Sequence, residues 1–177
     1  MRLANAIDWR GKSVLMHAAS RDHADMIGLL VRHKARVEAT DYTGGMTALM
    51  LAARNGSLAA VEALVTAGAN VNAATPQGTT TLMNAVASGS LPTIGALVKS
   101  GADVNAKDKT GATALSLAAN TGGVDVIRML MLADADIEAA DLQGATPLLV
   151  AAAAAQLDAL RTLLELKADP NAKVKRA

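Results

Sequence analysis

The sequence predicts an all-α fold: a solenoid of about five stacked helix-turn-helix repeats, each opened by a turn or short hairpin that projects as a finger. Three observations predict it. Thr-x-Leu recurs at Thr47, Thr80, Thr113 and Thr146, at three successive intervals of 33 residues, and Ser13-Val14-Leu15 stands 34 residues before Thr47. A fixed period of this length marks a chain assembled from one repeated supersecondary unit. Hydrophobic residues make up 51% of the chain but aromatics only 1%, with one Trp, one Tyr and no Phe. A single rounded core normally uses rings to fill its centre, so a core of Ala, Leu, Val, Ile and Met must be thin, with its elements packed close. Finally, each Thr or Ser follows a turn signal, Asp-x-x-Gly or a near variant.

Each repeat reads in the same order. Asp supplies a side-chain acceptor for its own turn, and Gly accepts positive φ. Thr or Ser then stands where a helix begins, with Pro147 in an early helical position in the last copy. A short first helix follows, with Leu and Ala three apart on one face, as at Leu49 and Ala52, closed by Gly56, Gly89 or Gly122. The second helix carries Val61, Leu64 and Val65, matched by Ile94, Leu97 and Val98 and by Ile127, Leu130 and Met131. Gly68 and Gly101 end that helix, and an Ala-Asn-Val-Asn or Ala-Asp-Val-Asn segment is expected to run extended into the next finger. The copies span approximately 8–40, 41–74, 75–107, 108–140 and 141–173. Residues 1–7 form a partial repeat and 174–177 a tail, all in one domain spanning 1–177. The one-residue offset of the first copy is placed in Asp41-Tyr42-Thr43-Gly44-Gly45, which has one more Gly than its counterparts.

The segments "GANVNA" (68–73), "GADVNAKDKTGATAL" (101–115) and "DLQGATPL" (141–148) carry a closer likeness. From about Asp8 to Ala172 the chain resembles the ankyrin repeat family, whose usual pattern is an Asp-x-x-Gly turn, Thr-Pro-Leu-His-x-Ala-Ala, a Gly, a Val-x-x-Leu-Leu helix and Gly-Ala-Asp-Val-Asn. The resemblance implies a non-enzymatic protein-interaction module. Its framework residues are spent on stacking, and its fingers and first helices line a concave face whose variable positions do the recognising. Small alanines suit this plan, because one copy cannot bury its apolar face and its neighbour must approach closely to do so.

The departures from the pattern are specific. The family His is replaced by Met16, Met50, Met83, Ser116 and Leu149, so packing is expected to stand in for the hydrogen bond that His makes to the turn. Asp22, Lys34, Asp134, Ala155 and Lys167 stand where a helix-closing Gly is usual. A left-handed non-glycine costs roughly 1 kcal/mol, so these positions are either strained or turn differently. Terminal copies are expected to fray first, each lacking one neighbour. The fifth copy is apolar with little sign of a polar cap. The tail, a partner, or the remainder of a longer protein are the three ways to cover it.

Composition removes several functions. Without cysteine there is no disulfide, thiolate metal site or thiol nucleophile. No apolar run reaches the roughly 18–20 residues of a membrane span, and no signal peptide is visible. A cytoplasmic location is expected, and a periplasmic or extracellular one after signal removal stays open. No nucleophile, acid–base pair or phosphate loop is present, so neither enzymatic activity nor a cofactor is expected. His17, His23 and His33 lie six and ten residues apart, not at the helical spacing of a metal pair, and His17 occupies a position matched by Leu51, Leu117 and Val150. The basic Arg32, His33, Lys34 and Arg36 suit a helix C-terminus, with a phosphate site as the alternative. Asp134, Asp136, Glu138 and Asp141 read as a hydrophilic loop, or alternatively as a weak cation site. No metal is expected.

Charge is spread unevenly although the net is +1. Residues 1–54 carry eight basic and five acidic groups, whereas residues 55–98 carry Glu62 alone. No stretch is basic enough to imply nucleic acid, and no membrane partner is expected. The candidate partner-binding residues are Trp9, Arg10, Lys12 and Arg21 in the first copy, and Tyr42, Thr43, Met46, Arg54 and Asn55 in the second. Gln77 and Ser88 (with Thr79) follow in the third, then Lys109, Asn120 and Thr121 (with Thr110) in the fourth, and Leu142 and Gln143 in the fifth. Trp9 and Tyr42, the only two aromatics, fall at the same finger position of adjacent copies. Trp, Tyr and Arg are the side chains that most often dominate interface energies. The expected occupant is a protein segment of acidic or mixed polar-apolar character, bound by a monomer. The alternative placement has Trp9 shielding the end of the stack and Tyr42 packing on the next turn. A second function, a regulatory or capping segment binding in cis to another domain of a larger protein, follows from the apolar fifth copy and the partial repeat.

Overall fold

The computed structural model describes residues 3–172. Met1 and Arg2, and the basic tail that includes Lys173, Lys175 and Arg176, lie outside the described residues. After a 3-10 turn at Leu3–Asn5, ten α-helices follow in pairs: α1 Val14–Ala19 and α2 Ala24–Arg32; α3 Ala48–Arg54 and α4 Leu58–Thr66; α5 Thr81–Ser88 and α6 Leu91–Lys99; α7 Ala114–Thr121 and α8 Val124–Leu132; α9 Pro147–Ala153 and α10 Leu157–Glu165. Among the described residues there is no strand. Isolated bridges join Ile7 to Ser13 and Ala74 to Thr80 across the bases of two fingers.

Helix starts follow the sequence signals. Ser13, Thr47, Thr80, Thr113 and Thr146 are the N-caps of the five first helices, each accepting the amide of the residue three positions on. The replacement of the family His is more conservative than expected. Met16 Sδ accepts from the Ser13 amide at 3.4 Å, Met83 Sδ from the Thr80 amide at 3.4 Å, and Ser116 Oγ from the Thr113 amide at 2.9 Å. Three of the five caps are therefore reciprocal, with a thioether or hydroxyl supplying the acceptor that packing alone was expected to replace.

Helix ends keep the repeat geometry even without glycine. The positive-φ non-glycine residues are Asp22, Lys34, Asp134, Ala155 and Lys167, with φ between 56° and 73°. The turns are thus conserved in shape, and the side chains absorb the strain. The segment after each second helix differs from the extended run expected. It folds into a turn, with Ala39, Ala73, Ala139 and Ala172 amides donating to carbonyls three residues back. The cause is local: Asn70, Asp103, Asp136 and Asp169 each accept the amide two residues on, an arrangement that bends the backbone.

The chain divides into two compact units, Met1–Ala102 and Asp103–Ala177. In the first, α1, α3 and α5 pack in one row and α2, α4 and α6 in a second, and each pair packs internally. The core between the rows is aliphatic: Leu15, Met16, Ile27, Leu49, Met50, Leu64, Leu82, Ile94 and Leu97 are all fully buried. In the second unit, α7 packs on α9 and α8 on α10, over Leu115, Ile127, Leu130 and Leu163.

Polar clips tie neighbouring copies within each unit. Asn5 Nδ2 donates to the Lys34 carbonyl and its Oδ1 accepts from the Arg36 amide; Asn105 makes the same pair of bonds with Asp134 and Asp136. Glu38 and Glu138 accept the amides of Asn70 and Asp169, respectively, and Asp22 accepts the Ala60 amide at 2.7 Å.

Candidate protein-binding site

The first two fingers are each built on an Asp acceptor, half-buried at Asp8 and buried at Asp41. Asp8 Oδ1 accepts the Arg10 and Lys12 amides, both at 2.9 Å, and its Oδ2 lies 3.0 Å from His17 Nε2. Partial desolvation pushes the Asp8 carboxyl up, but the amides of Lys12 and Arg10 and the His17 ring together hold it below the usual carboxylate range. Asp41 repeats the design with Gly44 and Met46 amides on Oδ1 and the Thr43 hydroxyl on Oδ2. Burial again raises it, and those three hydrogen bonds, with the charge of Lys12, carry it below its ordinary value. These two fingers therefore use their carboxylates internally and leave Trp9, Arg10, Tyr42 and Thr43 exposed.

Trp9 is 82% exposed and Tyr42 72% exposed. The Arg10 guanidinium carbon lies 4.4 Å from the centre of the Trp9 ring, a cation–π pair that holds both at the tip. Tyr42 bonds the preceding finger through its backbone, its amide donating to the Arg10 carbonyl at 2.9 Å, and its ring lies against Gly11. The alternative expected Tyr42 to pack on the next turn; it packs instead on the preceding one, which leaves most of the ring in solvent. Pro76 occupies the same place over Gly45 in the next pair of fingers.

The helix ends bring in the remaining cations. Arg54 Nη1 reaches back to Met46 Sδ at 3.9 Å, so this side chain runs from the end of α3 to the base of the second finger. Asn55 Nδ2 donates to the Ser20 carbonyl at 2.9 Å and so ties the end of α3 to the end of α1, which Arg21 follows. Met46 itself is only 8% exposed. It supports Arg54 instead of facing solvent as expected, because its amide is drawn in by Asp41.

The other expected positions fare differently. Lys12 is half-buried and Thr43 is exposed with its hydroxyl committed to Asp41. Gln77 is exposed; Ser88 is half-buried and its hydroxyl already serves the Ala85 carbonyl and the Ser90 amide. Thr79 is half-buried. In the second unit Lys109, Thr110, Asn120, Thr121, Leu142 and Gln143 are all exposed, with the Thr121 hydroxyl spent on the Leu117 and Ala118 carbonyls. Sequence reasoning missed the His17–Asp8 clamp. His17 is not a packing residue like Leu51: its side chain is 43% exposed and it braces the first finger against α1. The signal was its departure from the aliphatic residues at that position in three other copies.

Among the described residues no cluster of His, Cys, Asp or Glu is arranged to hold a metal, and no helix is long and apolar enough to cross a membrane. In the acidic cluster Asp136, Glu138 and Asp141 accept backbone amides. A family model described as ankyrin repeats (3 copies) matches residues 2–75 and 82–174. That match covers nearly the whole chain: the protein belongs to the ankyrin repeat family, whose members are generally protein–protein interaction modules.

Proposed function

We propose that this chain is a non-enzymatic interaction module that binds a protein partner through its fingers and first helices. The contact centres on Trp9, Arg10, Lys12, Arg21, Tyr42, Arg54 and Asn55, with Thr43, Gln77 and Ser88 beyond them. Lys109, Asn120 and Thr121 are corresponding positions in the second unit. The observation that carries this reading is the placement of the only Trp and the only Tyr of the chain at adjacent finger tips, each more than 70% exposed. The aliphatic core does not use them, and large exposed rings braced by Arg and by backbone are the residue types that dominate interface energies. Crosslinking and affinity capture with the wild type and a Trp9→Ala/Tyr42→Ala variant test it. Loss of partner recovery in the variant is expected; unchanged recovery defeats the assignment of this surface.

A second reading is favoured by the last helix pair. Ser116 and Ala119 of α7 are 5% and 0% exposed, and Ile127 of α8 is 0% exposed. Their counterparts one repeat later are uncovered: Leu149 is 44% exposed, Ala152 is exposed and Leu160 is half-buried. Leu157 and Leu164 extend this apolar face. In this reading the chain also acts in cis, docking another domain of a larger protein on α9 and α10. Expressing the full reading frame and testing Leu149→Glu/Leu164→Glu for loss of that docking decides it.

A further inference from the structure

We propose that the finger-and-first-helix surface of the first unit is selective for an acidic protein segment that also carries an apolar residue. This rests on the interaction-module reading above and specifies the chemistry of its partner.

The starting point is the fate of each carboxylate in that unit. Asp8 accepts two backbone amides and faces His17; Asp41 accepts two amides and a hydroxyl. Asp22 accepts the Ala60 amide and Glu38 the Asn70 amide. The two remaining, Asp25 and Glu62, lie on the second helices α2 and α4. The first helices α1, α3 and α5 contain no acidic residue.

The cations are treated in the opposite way. Among the described residues, none of Arg10, Lys12, Arg21 or Arg54 forms an ion pair. Arg10 rests on the Trp9 ring and Arg54 on the Met46 sulfur, contacts that position a guanidinium without neutralising it. The Asn55–Ser20 clip joins the end of α3, where Arg54 stands, to the residue before Arg21. The result is a set of four cations on the first two fingers and at the ends of α1 and α3, none in an ion pair among the described residues: Lys12 acts on the Asp41 carboxylate through its charge alone, and Asp8 and Asp41 are spent on backbone amides. Such an arrangement favours encounter with negative segments and penalises basic ones.

The apolar requirement comes from the flank of the fingers. A shallow hollow there is lined by Ile7, Val37, Ala39 and Tyr42 together with Gly11, Thr40, Arg36 and Glu38, whose carboxylate already accepts the Asn70 amide. Ile7 is 52% exposed, and no described side chain fills the hollow. Tyr42 borders both features, so one residue of a bound segment can rest against the ring while its acidic neighbours meet Arg10 and Lys12.

The test uses three short peptides of identical length, each with the same pair of leucines, whose other positions are glutamate, glutamine or lysine. Binding is followed by calorimetry, with the emission of Trp9, the only Trp, as a local report. The glutamate peptide is expected to bind saturably, to perturb Trp9, and to weaken with salt. Binding should weaken about fivefold in Arg21→Glu/Arg54→Glu. If the glutamine peptide binds as tightly as the glutamate peptide and still perturbs Trp9, the acidic class is overturned while the surface stands. If the glutamate peptide binds Trp9→Ala/Tyr42→Ala and Arg21→Glu/Arg54→Glu as well as it binds the wild type, the surface itself is overturned. Absence of binding by the glutamate peptide overturns the inference.

Discussion

The ring of Tyr42 lies directly against the backbone of Gly11: a Cβ added at Gly11 falls 2.6 Å from two of its ring carbons and 2.8 Å from a third. Gly11 also has φ +77°, so a side chain meets both strain and collision. Gly11→Ala is expected to cost about 1–2 kcal/mol for the left-handed backbone, with the clash added. In a Tyr42→Ala background the clash is gone and the cost of the same change should be smaller. Chemical denaturation of the four members of this cycle gives the coupling.

The five left-handed non-glycine residues give a discriminating set. Lys34→Gly, Ala155→Gly and Lys167→Gly relieve strain and are each expected to stabilise by up to about 1 kcal/mol. Asp22→Gly is expected not to, because the same substitution removes the acceptor that holds the Ala60 amide. Thermal and urea unfolding midpoints measure both.

How much of this was legible beforehand varies with the physics involved. The caps and the first-helix glycines could be placed, because local turn chemistry determines them; at the five positions where another residue stands for a helix-closing Gly, the sequence leaves strain or a different turn open, and the backbone proves left-handed. The exposure of Trp9 and Tyr42 followed from an aliphatic core with no room for rings. What escaped depended on contacts between distant residues or on a side chain's second use. Met46 was drawn inward by Asp41, and His17 turned to Asp8 instead of the core. The post-helix segment is expected to be extended, but its Asn and Asp side chains bend it. Thioether capping by Met16 and Met83 was missed because Met was read only as apolar.

The finger carboxylates make stability depend on pH in one direction. Asp8 and Asp41 both titrate below their ordinary value of 3.8 in the folded chain. Between the folded and unfolded values the unfolded state therefore binds more protons, and stability rises with pH through that window. Their contribution should be complete above the unfolded value and lost as pH falls from 3.8 toward the lowered folded value. Asp41→Asn keeps a carbonyl acceptor but not the charge. The variant should be less stable than wild type at neutral pH, with the gap closing in acid. Urea unfolding from pH 7 down to the acid transition tests the sign.

Thr81 presents a separate case. It is fully buried in α5 with its hydroxyl unpartnered, at a position filled by Ala48 and Ala114 in other copies. Thr81→Val keeps the volume and removes an unsatisfied group, which costs about 1–3 kcal/mol when buried. The variant is expected to unfold at a higher denaturant concentration.

The central claim is that recognition falls on the fingers and first helices of the first unit. Amide hydrogen exchange, with and without a crosslink-identified partner bound, tests it most directly. Protection is predicted at residues 8–12, 42–46 and 54–55, with the outward faces of α2 and α4 unchanged. Protection confined to α2 and α4, or to α9 and α10, would contradict it.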